Sequence, residues 1–184
     1  MTQLNRTLEL IQERSSIRSY LKDSVREDEI DRLKEAVLAS PTARNRQQLR
    51  YSFIRDQELI RRMDQRIFHY CDGQMMESMK TRQADSFFYG APLVVLISAS
   101  ESAWADLDAG IAVGILAIAA QSLGLSSVIL GMPRLAFQEE DPQNCRALLD
   151  MEEEERFCVA IAIGRAAAGK EPHQANWDHI RVFD

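Results

Sequence analysis

The spacing of apolar residues divides the chain into helical and extended stretches. Leu4, Leu8 and Ile11 keep a helical period and predict a first amphipathic helix ending near Arg14. Ser24-Val25-Arg26-Glu27 has the form of a capping box, and predicts a second helix with Ile30, Leu33, Val37 and Leu38 on its apolar side. Pro41 closes that helix, because proline disfavours helical geometry at Ser40. Tyr51–Arg55 alternates as a strand, and Asp56 caps a helix that follows it. Residues 69–90 have no decisive period, although Met75, Met76 and Met79 could line a helix face. After Gly90-Ala91-Pro92, the run LVVLISA reads as a strand buried on both faces. From about Trp104 to Leu123 the chain is apolar almost all round, which predicts a central helix with Gly124 at its C-terminal end. SSVIL is a strand that ends at Gly131; a helix near Asp141–Asp150 and a strand CVAIAIG complete the core. From Arg165 the chain is polar and has little core of its own, so it is expected to dock on a partner subunit.

This order of elements indicates an α+β or α/β fold in one domain covering residues 1–184, a length that can bury one good core. Composition narrows the function. The formal net charge of −6 disfavours a nucleic-acid binder, which carries a basic footprint. It also makes local basic clusters more informative. Cys71, Cys145 and Cys158 are odd in number and widely spaced, as expected of free thiols in a reducing compartment. With His69, His173 and His179 they form no metal-ligand spacing, so no metal is expected. The N-terminal stretch lacks an apolar signal core, and Ile111–Ala120 is too short to span a bilayer. The expectation is a cytoplasmic protein without a membrane partner.

Three segments carry candidate chemistry. In Arg14-Ser15-Ser16-Ile17-Arg18, two guanidiniums flank two hydroxyls, a set that can hold phosphate. Two solvated arginines at a helix C-terminus would read the same way. Ser40–Gln48 is a small, polar turn whose Asn45 and Gln47 amides suit the edge of a heteroaromatic ring, or serve only to shape the turn. Gly131 at a strand end lets a flat ligand approach the backbone, or simply ends the strand. The chain has no GxSxG, HExxH, Walker or GxGxxG sequence. The acidic run Glu152–Glu155 reads as a solvated loop.

In their order, these segments resemble the nitroreductase family of FMN-dependent oxidoreductases. The resemblance is carried by RSSIR, PTARNRQ, FFYGAPLVVLI, DAGIAVGILAIAAQSLGL and VAIAIG, and runs from about Ile11 to Gly164. It implies an α+β fold with a central, mostly antiparallel sheet surrounded by helices. Two subunits would build two FMN sites at their interface, with the C-terminal segment docked on the partner. Carried over by position, Arg14, Ser15 and Ser16 would hold the phosphate and ribityl side. Arg18 would lie by the N1/O2 pole of the ring, where a guanidinium stabilises the negative charge that gathers on reduction. Pro41, Thr42, Ala43 and Asn45 would come from the other subunit. Leu130, Gly131 and Met132 would lie along the ring, and Lys170 or His173 would complete the phosphate site. The resemblance further implies NADH or NADPH as donor, a nitroaromatic, quinone or similar small molecule as acceptor, and ping-pong kinetics. A non-catalytic flavin-binding or regulatory role on the same scaffold is the alternative. The chain departs from the family pattern at Gln48-Leu49, where Pro-Trp is usual, and at Met132, where a glycine or an acid is common. Its shortness leaves no room for the insertion that some members place over the pocket.

Overall fold

The computed structural model describes residues 5–183. Helix α1 (Arg6–Glu13) is capped by Asn5, whose side chain accepts the Leu8 N–H at 3.0 Å. It ends where Arg14 turns extended, as its spacing predicts; Leu4 lies outside the described residues. Helix α2 (Glu27–Leu38) starts later than its sequence suggests. The reciprocal cap is Arg26 with Glu29, not Ser24 with Glu27: the Arg26 N–H donates to Glu29 Oε2 at 2.9 Å. Glu29 is buried and also accepts from Arg165 at 2.8 Å, so one carboxylate ties the helix start to the chain leaving the sheet. Ile30, Leu33 and Val37 face inward, but Leu38 is 74% exposed.

Strand β1 (Leu49–Ile54) leads to α3 (Gln57–His69), with Asp56 accepting the Glu58 and Leu59 N–H groups as expected. The ambiguous stretch contains helix α4 (Gly73–Thr81), and Met79 is its buried residue. Then come β2 (Leu93–Ser100), α5 (Ala105–Ser122), β3 (Ser126–Leu130) and β4 (Glu155–Gly164). Leu123 and Gly124 close α5, and Gly124 takes the left-handed conformation (φ +71°) that glycine tolerates. The helix expected near Asp141–Asp150 is reduced to a 3-10 turn, Arg146–Leu149. Arg146 explains the shorter element: its guanidinium donates to the carbonyls of Glu152, Glu153 and Glu155, holding the following loop against it. The acidic run is not wholly solvated either. Glu155 opens β4 and is buried, accepting from Arg50 and Ser98 at 3.3 Å each.

The strands form one antiparallel sheet in the order β1-β2-β4-β3. The fold is therefore α+β, and antiparallel pairing replaces the parallel alternative that the nearly all-apolar β2 left open. That strand is apolar from Leu93 to Ile97 because both faces are covered. Leu93, Val95 and Ile97 pack toward α2 and α5, whereas Val94 and Leu96 pack toward α3 and the turn Met132–Phe137. At the end of the sheet, Gly164 lies so close to Pro92 that an added Cβ would meet the proline Cδ at 2.6 Å. By length and composition α5 is the one described helix that could cross a membrane. Here it packs on the sheet through Ala109, Ala112, Val113, Leu116, Ala117 and Ala120, with Asp108 buried among them.

Buried Asp64 on α3 anchors the turn before β2, accepting the Phe87 N–H at 2.8 Å. Burial raises its pKa to about 6, outweighing the stabilising bonds from Ser86 and Phe87. A native pKa above the unfolded value means that the folded state binds the proton more tightly. Its contribution to stability is thus fully present below about pH 4, and is lost as pH rises through about 6. Asp64→Asn keeps an acceptor for Phe87 without a charge. Urea unfolding is expected to show wild type losing about 2 kcal/mol relative to this variant between pH 4.5 and 7.5. Parallel pH profiles for the two proteins would show that the carboxylate does not titrate in this way.

Candidate functional site

The first anion-binding candidate forms where α1 ends. Arg14 leaves the helix in an extended conformation, so Ser15 and Ser16 run beside β3 rather than continuing the helical turn. Ser16 bridges Ser127, and the Ile17 N–H donates to the Ser127 carbonyl at 3.0 Å. The chain leaving β4 braces the other side: Leu21 N–H donates to Arg165, and Ala167 N–H to Ser19. Tyr20 locks the segment from below. Its buried hydroxyl lies 2.8 Å from the Ile17 carbonyl and 3.1 Å from that of Ala162, and burial holds the phenol well above its ordinary pKa.

Ser15 Oγ donates to the Lys170 carbonyl at 2.7 Å, which brings Lys170 to Ser15 across 155 positions of sequence. His173 is exposed and makes no such link. Arg165 also reaches this region, but its charge is committed to Glu29. Among the described residues Arg14, Arg18 and Lys170 have no ion-pair partner, whereas most other arginines do. On a chain of net charge −6, Arg14 and Lys170 without ion-pair partners beside the Ser15 hydroxyl form a segment suited to an anion. Arg18 stands apart from the hydroxyls. Its guanidinium carbon lies 5.9 Å from the centroid of the Tyr89 ring, within cation–π range. Tyr89 is held at φ +56° by the Ser86–Gly90 turn. Sequence reasoning missed this residue; its only signal is its place before Gly90-Ala91-Pro92.

Leu130, Gly131 and Met132 occupy the far end of β3 and the turn beyond it. Leu130 is buried, Gly131 is exposed, and Met132 is half-buried beside Tyr89 in one concavity. Strand β3 therefore joins the anion-binding segment to the stretch where a ring could rest.

Pro41, Thr42, Ala43 and Asn45 lie elsewhere. Their loop contains three residues with positive φ, Arg44 (55°), Asn45 (52°) and Gln47 (49°), which is costly for side-chain-bearing residues. Asn45 does take the left-handed turn conformation, and accepts from the Gln47 side chain at 3.0 Å. The loop is tethered by Asp108, which is 1% exposed. Its two oxygens accept the Ala43 N–H at 3.0 Å and the Gln48 amide at 3.3 Å. Asp108 was also missed as a functional position, although a lone acid on an apolar helix face is a legible signal. Next to the loop, Ser40 Oγ is buried without a hydrogen-bond partner.

The Pro41–Asn45 loop and the Ser15–Ser16 segment are tied to opposite ends of α5. Asp108 marks one end, and Ser127 follows the other after a short turn. Helical rise alone separates Asp108 from Ser122 by about 20 Å. The same outer face of α5 carries exposed Leu107, Gly110 and Ile111, and it borders Pro41–Arg44. A Cβ added at Gly110 or Gly114 would meet nothing within 4 Å, so packing within the protomer does not require either glycine. Among the described residues, no three His, Cys, Asp or Glu side chains gather into a metal-binding group.

Comparison with known proteins agrees with this architecture. Residues 11–165 match the nitroreductase family. The FMN reductase (NAD(P)H) of Bacillus subtilis strain 168 is 25% identical, with 98% of this chain and 81% of that protein covered. A nitroreductase with bound FMN from Desulfitobacterium hafniense DCB-2 is 26% identical, covers 99% of this chain and 100% of its own, and superposes with a TM-score of 0.91. A nitroreductase with bound FMN from Bacteroides fragilis NCTC 9343, at 20% identity, shares the fold with a TM-score of 0.87 over 98% of this chain and 100% of its own. With its motifs in family order on a matching antiparallel α+β framework, this chain belongs to the nitroreductase family.

Proposed function

We propose that the protein is an FMN-dependent NAD(P)H oxidoreductase, acting as a homodimer of single FMN-binding domains in the cytoplasm. The observation that carries this reading is the contact of Ser15 with Lys170 next to uncompensated Arg14, joined by β3 to Gly131 and Met132. Such a segment fits a ligand with a phosphate at one end and a flat ring at the other. Family membership and FMN-bound relatives support FMN as that ligand.

Arg14, Ser15, Ser16 and Lys170 would hold the phosphate and ribityl side by charge-assisted hydrogen bonds. Leu130, Gly131 and Met132 would support the ring. When bound, FMN supplies hydride transfer from NADH or NADPH to a nitroaromatic, quinone or similar acceptor. Donor and acceptor would occupy one site in turn, the pattern of ping-pong kinetics. Arg18, steadied by Tyr89, is assigned to the electron-rich pole of the ring, where a fixed positive charge favours the reduced form.

The loop Pro41–Asn45 is too far along α5 to meet its own protomer's Ser15 segment across a ring. It would complete the partner's site instead. The outer face of α5 supports this arrangement, because Gly110 and Gly114 leave space that nothing in the protomer uses. Helix glycines cost about 1 kcal/mol each relative to alanine, and close approach of a partner helix offsets that cost. The C-terminal segment would dock on the partner through Trp177, Ile180, Val182 and Phe183, all exposed in the protomer.

Arg18→Ala tests the assignment that matters most for reactivity. Anaerobic stopped-flow measurement is expected to show flavin reduction by NADH slowed by about 10- to 100-fold, the effect of about 1.4–2.7 kcal/mol in the barrier. FMN affinity should fall only a few-fold. An unchanged reduction rate would remove Arg18 from the ring.

A further inference from the structure

A concavity of about 330 Å³ opens beside the proposed flavin segment, between α4 and the turn that precedes β2. Met75, Met79 and Met132 supply thioethers to its wall, Phe87 and Tyr89 supply aromatic surface, and Arg82 supplies a guanidinium. Two of these residues also belong to the proposed flavin environment. Met132 follows Gly131 directly, and the Tyr89 ring carries Arg18. A molecule in this pocket would therefore lie against the edge of the ring site. The volume is at the small end for ligand pockets, which suits one or two rings and excludes a whole dinucleotide. Thioethers on flexible stems are polarisable and adapt to flat rings of differing outline.

The two charged groups at the pocket are not paired with each other. Asp72 borders it too, but its carboxylate caps α4, accepting the Met75 N–H at 2.7 Å, and so is committed to the helix N-terminus. Arg82 is at the other end of that helix. Its guanidinium donates to Ser78 Oγ and, at 3.4 Å, to the Ser78 carbonyl, both neutral acceptors. Among the described residues it has no carboxylate within ion-pairing distance, although its neighbour Lys80 pairs with Glu77. Guanidinium matches carboxylate geometry with two parallel hydrogen bonds, and Arg82 retains the donors for them.

We propose that this pocket is the acceptor site, and that it selects planar aromatic acceptors of one or two rings bearing a carboxylate, with Arg82 determining the specificity. The source of the electrons rests on the FMN reading; the binding preference does not.

Calorimetric titration of the oxidised, FMN-loaded protein, without reductant, tests the preference using 4-nitrobenzoate and uncharged 4-nitrobenzamide. Wild type is expected to bind the benzoate about tenfold more tightly, equivalent to about 1.4 kcal/mol. Arg82→Gln should abolish the preference, and Arg82→Lys should retain part of it. Absence of any preference in wild type would overturn the proposal, as would equal weakening of both ligands in Arg82→Gln. A raised KM for NADH in Arg82→Gln with unchanged nitrobenzoate affinity would assign the pocket to the donor, and would also overturn it. A protein that takes up no FMN yet binds nitrobenzoate in an Arg82-dependent way would sink the flavin reading and leave the pocket's preference standing.

Discussion

Gly110→Leu is expected to give a folded monomer with FMN affinity reduced by about 100-fold, a loss of about 2.7 kcal/mol. In the protomer this position is exposed, and an added Cβ meets nothing within 4 Å. Leucine is also a better helix former than glycine, so the substitution should not destabilise α5 itself. The harm falls on an approaching helix, which would lose the close contact that a glycine permits. Each site would then lose its partner's Pro41–Asn45 loop. Light scattering and FMN titration measure the two effects separately. A dimer of unchanged affinity would show that α5 does not form the interface. A monomer that still binds FMN tightly would show that one protomer builds the whole site.

Asp108→Ala is expected to lower stability by about 3 kcal/mol and to weaken FMN binding by at least about tenfold. The carboxylate is almost completely enclosed and serves two donors from the loop it tethers. Removing it leaves the Ala43 N–H without its acceptor and the Gln48 amide with Ser102 alone, and opens a small void. The loop keeps its three positive-φ residues but loses the bond that holds them. Asp108→Asn can still accept from Ala43 and should recover part of both losses. Urea unfolding gives the stability change, and FMN titration gives the affinity change. Full affinity in a destabilised Asp108→Ala protein would separate the loop from the cofactor.

Long apolar runs made most of the framework legible. Leu93–Ser100 reads as a strand, and Ala105–Ser122 as a core helix, because tertiary burial leaves few polar positions in either. Strand direction was not legible in the apolar pattern, since a strand covered on both faces looks alike in parallel and antiparallel sheets; the family resemblance implied the antiparallel sheet that is found. Local rules failed where distant residues compete. Ser24 has the chemistry of a cap, but Glu29 serves Arg26 and Arg165 together and moves the helix start. Glu155 belongs to an acidic run, yet Arg50 and Ser98 bury it at a strand end.

The candidate site was legible as separate segments in family order, and less so as a geometry. No local feature links Ser15 to Lys170, which meet only because the chain leaving β4 runs beside the N-terminal segment. Tyr89 acts through a contact to Arg18, and Asp108 through bonds from Ala43 and Gln48; such isolated tertiary contacts leave no periodic trace. In sequence alone, glycines at 110 and 114 on α5 suit packing within the subunit as well as approach of a partner. The empty space around both positions now favours an outside partner.

Flavin absorbance, followed during anaerobic titration with NADH and NADPH, decides whether the protein is a flavin oxidoreductase. The expected result is a yellow protein carrying one FMN per protomer, bleached by at least one nucleotide and restored to the oxidised spectrum by a nitroaromatic or quinone. A colourless protein that takes up no FMN on titration would contradict it, as would a yellow protein that neither nucleotide reduces.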